Sequence, residues 1–97
     1  MTEKLEKIVE RYNFLTEEIA KPEVIANNNS WKKLVKEHSS LTPIVECYEQ
    51  YRKVESNLSE ALQLAETEND KEMLEMLREE ISSDKKRREE LQEQLKV

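Results

Sequence analysis

The sequence predicts an all-α fold: an N-terminal helix packed on a long antiparallel helical hairpin, giving a three-helix bundle with a projecting coiled-coil finger. Three observations predict it. Apolar residues recur every three or four positions through most of the chain, the spacing of one helix face. The 97 residues are 39% charged and 36% hydrophobic, and Glu, Lys, Leu and Gln dominate, as in long helices rather than thick globular cores. There is no glycine, and β-branched residues are too scarce for a sheet with its turns. A chain of this length makes one domain at most. No apolar run approaches the ~20 residues of a membrane span. The first apolar residues alternate with Glu and Lys, unlike a secretory signal. The single cysteine, Cys47, permits no internal disulfide and reads as a reduced thiol in a cytoplasmic protein.

The first helix is expected from Glu3 to about Ala20, capped by Thr2. Leu5, Ile8, Val9, Tyr12, Leu15 and Ile19 form its apolar stripe, and Phe14 lies off the stripe's centre, placed to touch a second neighbour. The stretch "KPEVIANNNSWKKL" then stops reading like a helix. Without glycine, Asn27, Asn28 and Asn29 are the residues best able to turn the chain in the left-handed conformation. Pro22 suits the first turn of a short new helix. Asn29 or Ser30 can cap the one that follows.

The second helix is expected from about Trp31 to Glu66. Trp31, Leu34, Val35, His38 and Leu41 open its stripe, and Ile44, Val45, Tyr48, Tyr51, Leu58, Leu62 and Ala65 continue it. Pro43 predicts a kink or short break at residues 39–43, with Thr42 as a fresh cap, because an interior proline loses a hydrogen bond and crowds the preceding turn. The third helix is expected to start at Asn69, with Glu72 completing a capping box. Its heptad positions are Leu74, Leu77, Ile81, Asp84, Arg88, Leu91 and Leu95. The seam is therefore apolar at both ends and polar in the middle. "LKV" ends the chain without a helix terminator, so a cut through a helix is expected there.

At 1.5 Å per residue the first helix is ~27 Å long and the second ~54 Å. A link at Thr67–Glu68 folds the third helix back on the second. The first helix then covers only the end holding Trp31, Tyr48, Leu91 and Leu95, and residues 55–80 form the finger. That segment holds nine acidic residues against Lys71 and Arg78, a net charge of −7, while the rest of the chain is nearly neutral. It can be a solvated hairpin, or a docking surface that steers a basic partner by long-range attraction. The turn acids Glu66, Glu68, Asp70 and Glu72 are the candidate partner-binding residues.

Other chemistry is excluded by composition. A phosphate-binding loop needs glycine. One histidine, His38, cannot build a histidine metal cluster or a catalytic triad with the residues present, and on an apolar stripe it reads as a packing residue. Trp31, Tyr48 and Tyr51 read as core rather than as a ligand cage. The basic run Lys85, Lys86, Arg87 and Arg88 could touch phosphate, but it is followed at once by Glu89 and Glu90, and i to i+4 pairing on a solvated face fits it equally well. No catalytic, cofactor or metal residue is assigned, and no nucleic-acid site is expected.

The strings carry more than the periodicity does. "KPEVIANNNSWKKLVKEHSSLTPIVECYEQYRK" resembles the N-terminal domain of bacterial class-I peptide chain release factors, particularly the factor-one type that decodes UAA and UAG. The family's "DPEVIAN" corner matches Pro22 to Asn27. Its "KLxKE…L.PIVE.Y" run matches Lys33, Leu34, Lys36, Glu37, Leu41, Pro43 to Glu46, and Tyr48. The third-helix opening is echoed by Asn69 to Met73 and Arg78 to Glu80. The resemblance covers essentially all 97 residues and implies that 1–97 are a helical domain of a longer chain. Two positions depart from the pattern. Lys21 stands where the family often has Asp, and Asn69-Asp70 replaces Asp-Pro. The family's Gly-Gly-Gln loop and Pro-x-Thr tripeptide have no counterpart here, so neither catalysis nor decoding carries over and the chain alone is not expected to be an enzyme. The resemblance implies a ribosome-docking role: contact with a ribosomal protein at the stalk base, near where the release-factor GTPase acts. The alternative is a free-standing coiled-coil adaptor that oligomerises through the weak Asp84–Arg88 seam.

Overall fold

The computed structural model describes residues 2–96. These form helices α1 (Thr2–Glu18), α2 (Pro22–Ala26), α3 (Asn28–Thr67) and α4 (Lys71–Leu95), with no strand among the described residues. The all-α expectation holds. The expected helix cut at "LKV" concerns Val97, which lies outside the described residues. The chain divides into two compact units, Met1–Glu46 and Cys47–Val97.

In the first unit, α1 packs against the N-terminal part of α3. Leu5 and Leu15 are buried from α1, and Val45 from α3. Polar contacts record an antiparallel arrangement: Tyr12 meets Thr42, Thr16 meets His38 and Ile19 meets Trp31. The Arg11 guanidinium donates to both Glu37 oxygens at 2.7 and 2.8 Å. Tyr12 stacks on His38 with ring centroids 4.2 Å apart. The Trp31 indole N–H donates to the Ile19 carbonyl at 3.0 Å. That carbonyl lies just past the end of α1, where no following turn supplies a donor. Hydrogen bonding from Arg11 holds the Glu37 carboxyl below its usual range and raises the Arg11 value. The pair therefore stabilises the fold at neutral pH, and its contribution is lost as pH falls through the depressed Glu37 value. Both side chains are well exposed, so the contribution is small.

His38 is a packing residue, as expected. Thr16 Oγ donates its one proton to the Tyr12 carbonyl at 2.9 Å and lies 2.9 Å from His38 Nε2. Nε2 must then carry the hydrogen and donate to Thr16.

The glycine-free corner is turned differently from the expectation. No described residue has positive φ, so the asparagines do not enter the left-handed region. Instead α1 tightens, with Ala20 N–H on the Glu17 carbonyl and Lys21 N–H on the Glu18 carbonyl. Lys21 is extended, at φ −76° and ψ 129°, as a residue before proline prefers. A further bend follows at Asn27, φ −90° and ψ 82°. Two wide bends at negative φ replace one sharp one, and neither needs glycine. Pro22 opens α2 as expected. α3 begins at Asn28 rather than Trp31. The Trp31 N–H bonds the Asn27 carbonyl, so Asn29 and Ser30 lie inside the first turn and cap nothing.

The expected break at residues 39–43 is absent, and α3 runs through Pro43. Pro43 is exposed. Its ring sits on the side where carbonyls can tilt toward water, and the missing hydrogen bond leaves a solvent-facing acceptor. Thr42 is not a fresh cap. Its hydroxyl donates back to the His38 carbonyl at 3.0 Å and lies 3.2 Å from the Tyr12 hydroxyl.

The second unit is an antiparallel hairpin of the C-terminal part of α3 and α4. All seven expected heptad positions of α4 are buried or half-buried. On α3 the seam runs through Tyr51, Val54, Leu58, Ala61 and Ala65. Leu62 was expected there but is exposed, because the 58-61-65 spacing puts Ala61 in the seam. Gln92 Nε2 lies 3.4 Å from the Tyr51 hydroxyl, and Arg88 pairs with Glu55 at 3.2 Å. One Asp84 carboxylate oxygen is buried with no hydrogen-bond partner.

Candidate functional site

The hairpin turn is built by its own acids. α3 ends at Thr67, and the Glu68 N–H still reaches the Leu64 carbonyl at 3.0 Å. The Glu68 carboxylate then bends forward and accepts from the backbone N–H groups of Asn69 and Asp70 at 3.2 and 3.0 Å. Asp70, extended at φ −77° and ψ 121°, caps α4 by accepting the Glu72 N–H at 3.0 Å. The cap is therefore Asp70, not Asn69. The capping box does not form, because Glu72 now sits two residues past the cap, not three. Glu68 satisfies the cap's own N–H from the N-terminal side instead. Four donors at a helix start lack intrahelical partners, and carboxylates there also meet the positive end of the helix dipole.

This geometry divides the four expected partner-binding residues. Glu68 and Asp70 hold the turn. Glu66 and Glu72 are exposed, and their carboxylates take no hydrogen bond or ion pair among the described residues. Replacing Asp70 with Ala should therefore cost about 1 kcal/mol of stability, read by urea denaturation. Glu72→Ala should change it by less than about 0.5 kcal/mol.

The remaining residues singled out in the sequence lie apart from the turn. Tyr48 is 2% exposed, and Trp31 and Tyr51 are half-buried, which suits core rather than a ligand cage. The Cys47 thiol is a free, half-buried group 3.3 Å from the Gln94 side-chain oxygen. The basic run is partly used in the hairpin: Arg87 bonds Gln50 and Glu90, and Arg88 bonds Glu55. Two of these partners lie across the hairpin and Glu90 is at i+3, so the expected i to i+4 pairs do not account for the run. Among the described residues no group of three His, Cys, Asp or Glu side chains could hold a metal ion. No helix among them is long and apolar enough to cross a membrane.

Sequence reading missed one feature of this end. Leu64, Met73 and Met76 are exposed close to the turn. They fall outside the seam positions, so a stripe search passes over them. Heptad lettering of both helices together would have flagged them, since it assigns Leu64 and Met73 the same flanking position.

A family model for the PCRF domain matches residues 8–97. The chain is 39% identical to peptide chain release factor 1 of Caldicellulosiruptor saccharolyticus, 38% to that of Agathobacter rectalis and 41% to that of Finegoldia magna. Each match covers all of this chain and 27% of the relative, so the chain spans about a quarter of the length of these relatives. No solved structure matches it.

Proposed function

The chain belongs to the PCRF domain family, in the form carried by release factors of the factor-one type, and from that membership we propose that it is the ribosome-docking N-terminal domain of a translation termination factor. The observation that carries this reading is identity of 38–41% along the whole chain to proteins named peptide chain release factor 1. In this reading residues 1–97 act as one domain of a longer cytoplasmic factor. Recognition of UAA and UAG and triggering of peptidyl-tRNA hydrolysis belong to its other parts. These 97 residues hold no glycine, so a Gly-Gly-Gln loop cannot lie among them, and the domain itself is not an enzyme.

The docking end is the hairpin turn. Residues 55–80 carry a net charge of −7, which suits a basic protein at the ribosomal stalk base, close to the release-factor GTPase. The contact acids are Glu66 and Glu72, while Glu68 and Asp70 shape the turn that presents them. The same charge opposes phosphate backbones, since such a surface releases no counterions from nucleic acid. The adaptor alternative, oligomerisation through the Asp84–Arg88 seam, would require Arg88 to give up its pair with Glu55 of its own chain.

The test is competition on ribosomes. The 97-residue chain should bind purified bacterial 70S ribosomes and be displaced by full-length release factor 1 of Finegoldia magna. Binding that the full-length factor does not displace, or no binding at all, would refute the reading.

A further inference from the structure

The acidic end of the hairpin also carries an apolar flank. Leu64, Met73 and Met76 are 56%, 43% and 64% exposed. Arg87 bonds Gln50 across the hairpin at 2.9 Å, which fixes positions 50 and 87 on one flank. Leu64 lies two heptads after Gln50, and Met73 two heptads before Arg87. In an antiparallel pair, two heptads along both helices returns to the same flank, further toward the turn. Leu64 and Met73 therefore meet there, and Met76 adjoins Met73 at i+3. Leu62 is one heptad beyond Glu55, which pairs with Arg88 on the other flank, so it is not part of the patch.

Acids border this patch at helical neighbour positions. Glu60 precedes Leu64 by four residues, Glu72 precedes Met76 by four, and Glu80 follows Met76 by four; all three are exposed. Two exposed methionines and a leucine make an adaptable apolar surface, because methionine is unbranched and flexible.

We propose that this flank is a docking site for a basic amphipathic helix of a protein partner. The partner's apolar face covers Leu64, Met73 and Met76, and its Lys and Arg side chains reach Glu60, Glu72 and Glu80. Charge selects this occupant. A second copy would bring another segment of net −7 against the first, and nucleic acid or an anionic membrane would meet the same repulsion. The division of labour follows: the acids set the association rate, and the apolar patch sets the dissociation rate. The proposal rests on the ribosomal reading only for where the partner resides, not for its chemistry.

The test uses the full 97-residue chain with 13C-labelled methionine methyl groups. The probe is a synthetic amphipathic helical peptide of leucine and lysine. A control peptide of equal charge has glutamine in place of leucine. The leucine peptide should shift the Met73 and Met76 methyl signals. Leu64→Ser/Met73→Ser/Met76→Ser should weaken binding by roughly tenfold or more, and Leu62→Ser should not. Equal binding of the control peptide, or an unweakened triple variant, would overturn the proposal. So would concentration-dependent broadening without peptide, which would put a second copy on the patch. The same variants are then tested on 70S ribosomes. If the wild-type chain ignores ribosomes while binding the peptide, the ribosomal reading fails and the patch stands. If it binds ribosomes but the triple variant dissociates at the wild-type rate, the patch fails and the ribosomal reading stands.

Discussion

Replacing Leu91 with alanine should remove roughly 3–5 kcal/mol of stability, the range of leucine truncations in packed cores. Leu91 is fully buried on α4, where the seam becomes apolar again after its polar middle. The polar layer at Asp84 and Arg88 separates it from the apolar group nearer the turn, Leu77 and Ile81. Leu91 thus holds its end of the hairpin with few substitutes. A chain of this size has only about 5–15 kcal/mol in total, so the variant should lose much of its helical circular dichroism at urea concentrations that leave the wild type folded. Met76→Ala, at a 64% exposed position on the same helix, should stay within about 0.5 kcal/mol. Equal sensitivity at the two sites would contradict the assigned seam.

Asp84→Leu should act in the opposite direction. The unpartnered oxygen of Asp84 is buried, and leaving such a group unsatisfied costs about 1–3 kcal/mol. Leucine removes that cost and joins the apolar groups at Ile81 and Leu91. The melting temperature should rise by at least about 4 °C. A fall would mean that Asp84 makes a favourable interaction through its other oxygen strong enough to outweigh the buried one. A polar residue in a seam can fix alignment at a cost in stability. The Asp84→Leu chain is therefore also expected to self-associate more readily, which light scattering would read.

Much of this architecture was legible because helical periodicity is long-range and redundant. The seven α4 heptad positions emerge from spacing alone, and burial follows them, including the two polar ones. Local details were less legible, because each depends on one or two side chains choosing among near-equal options. Asn69 and Asp70 are both good caps, and the choice fell to Asp70 once Glu68 could take the neighbouring N–H groups. Pro43 reads as a break in one dimension, but in three it faces water and the helix tolerates it. The asparagine-rich corner suggested left-handed residues, but two wider bends made them unnecessary. At the hairpin turn the charge was plain in the sequence. The division of the acids into turn-builders and free carboxylates was not, since it rests on hydrogen bonds a few ångströms long.

The most direct test of the proposed docking surface is the association rate of the chain with 70S ribosomes, measured by stopped flow at low and high salt. The wild type is compared with Glu66→Lys/Glu72→Lys, which reverses the two free acids and leaves the turn-building pair intact. Electrostatic steering changes association rates by about 10–1000-fold, so the double variant should associate at least about tenfold more slowly at low salt. The two rates should converge as salt screens the charges. Equal rates at low salt would contradict a docking surface made of these acids.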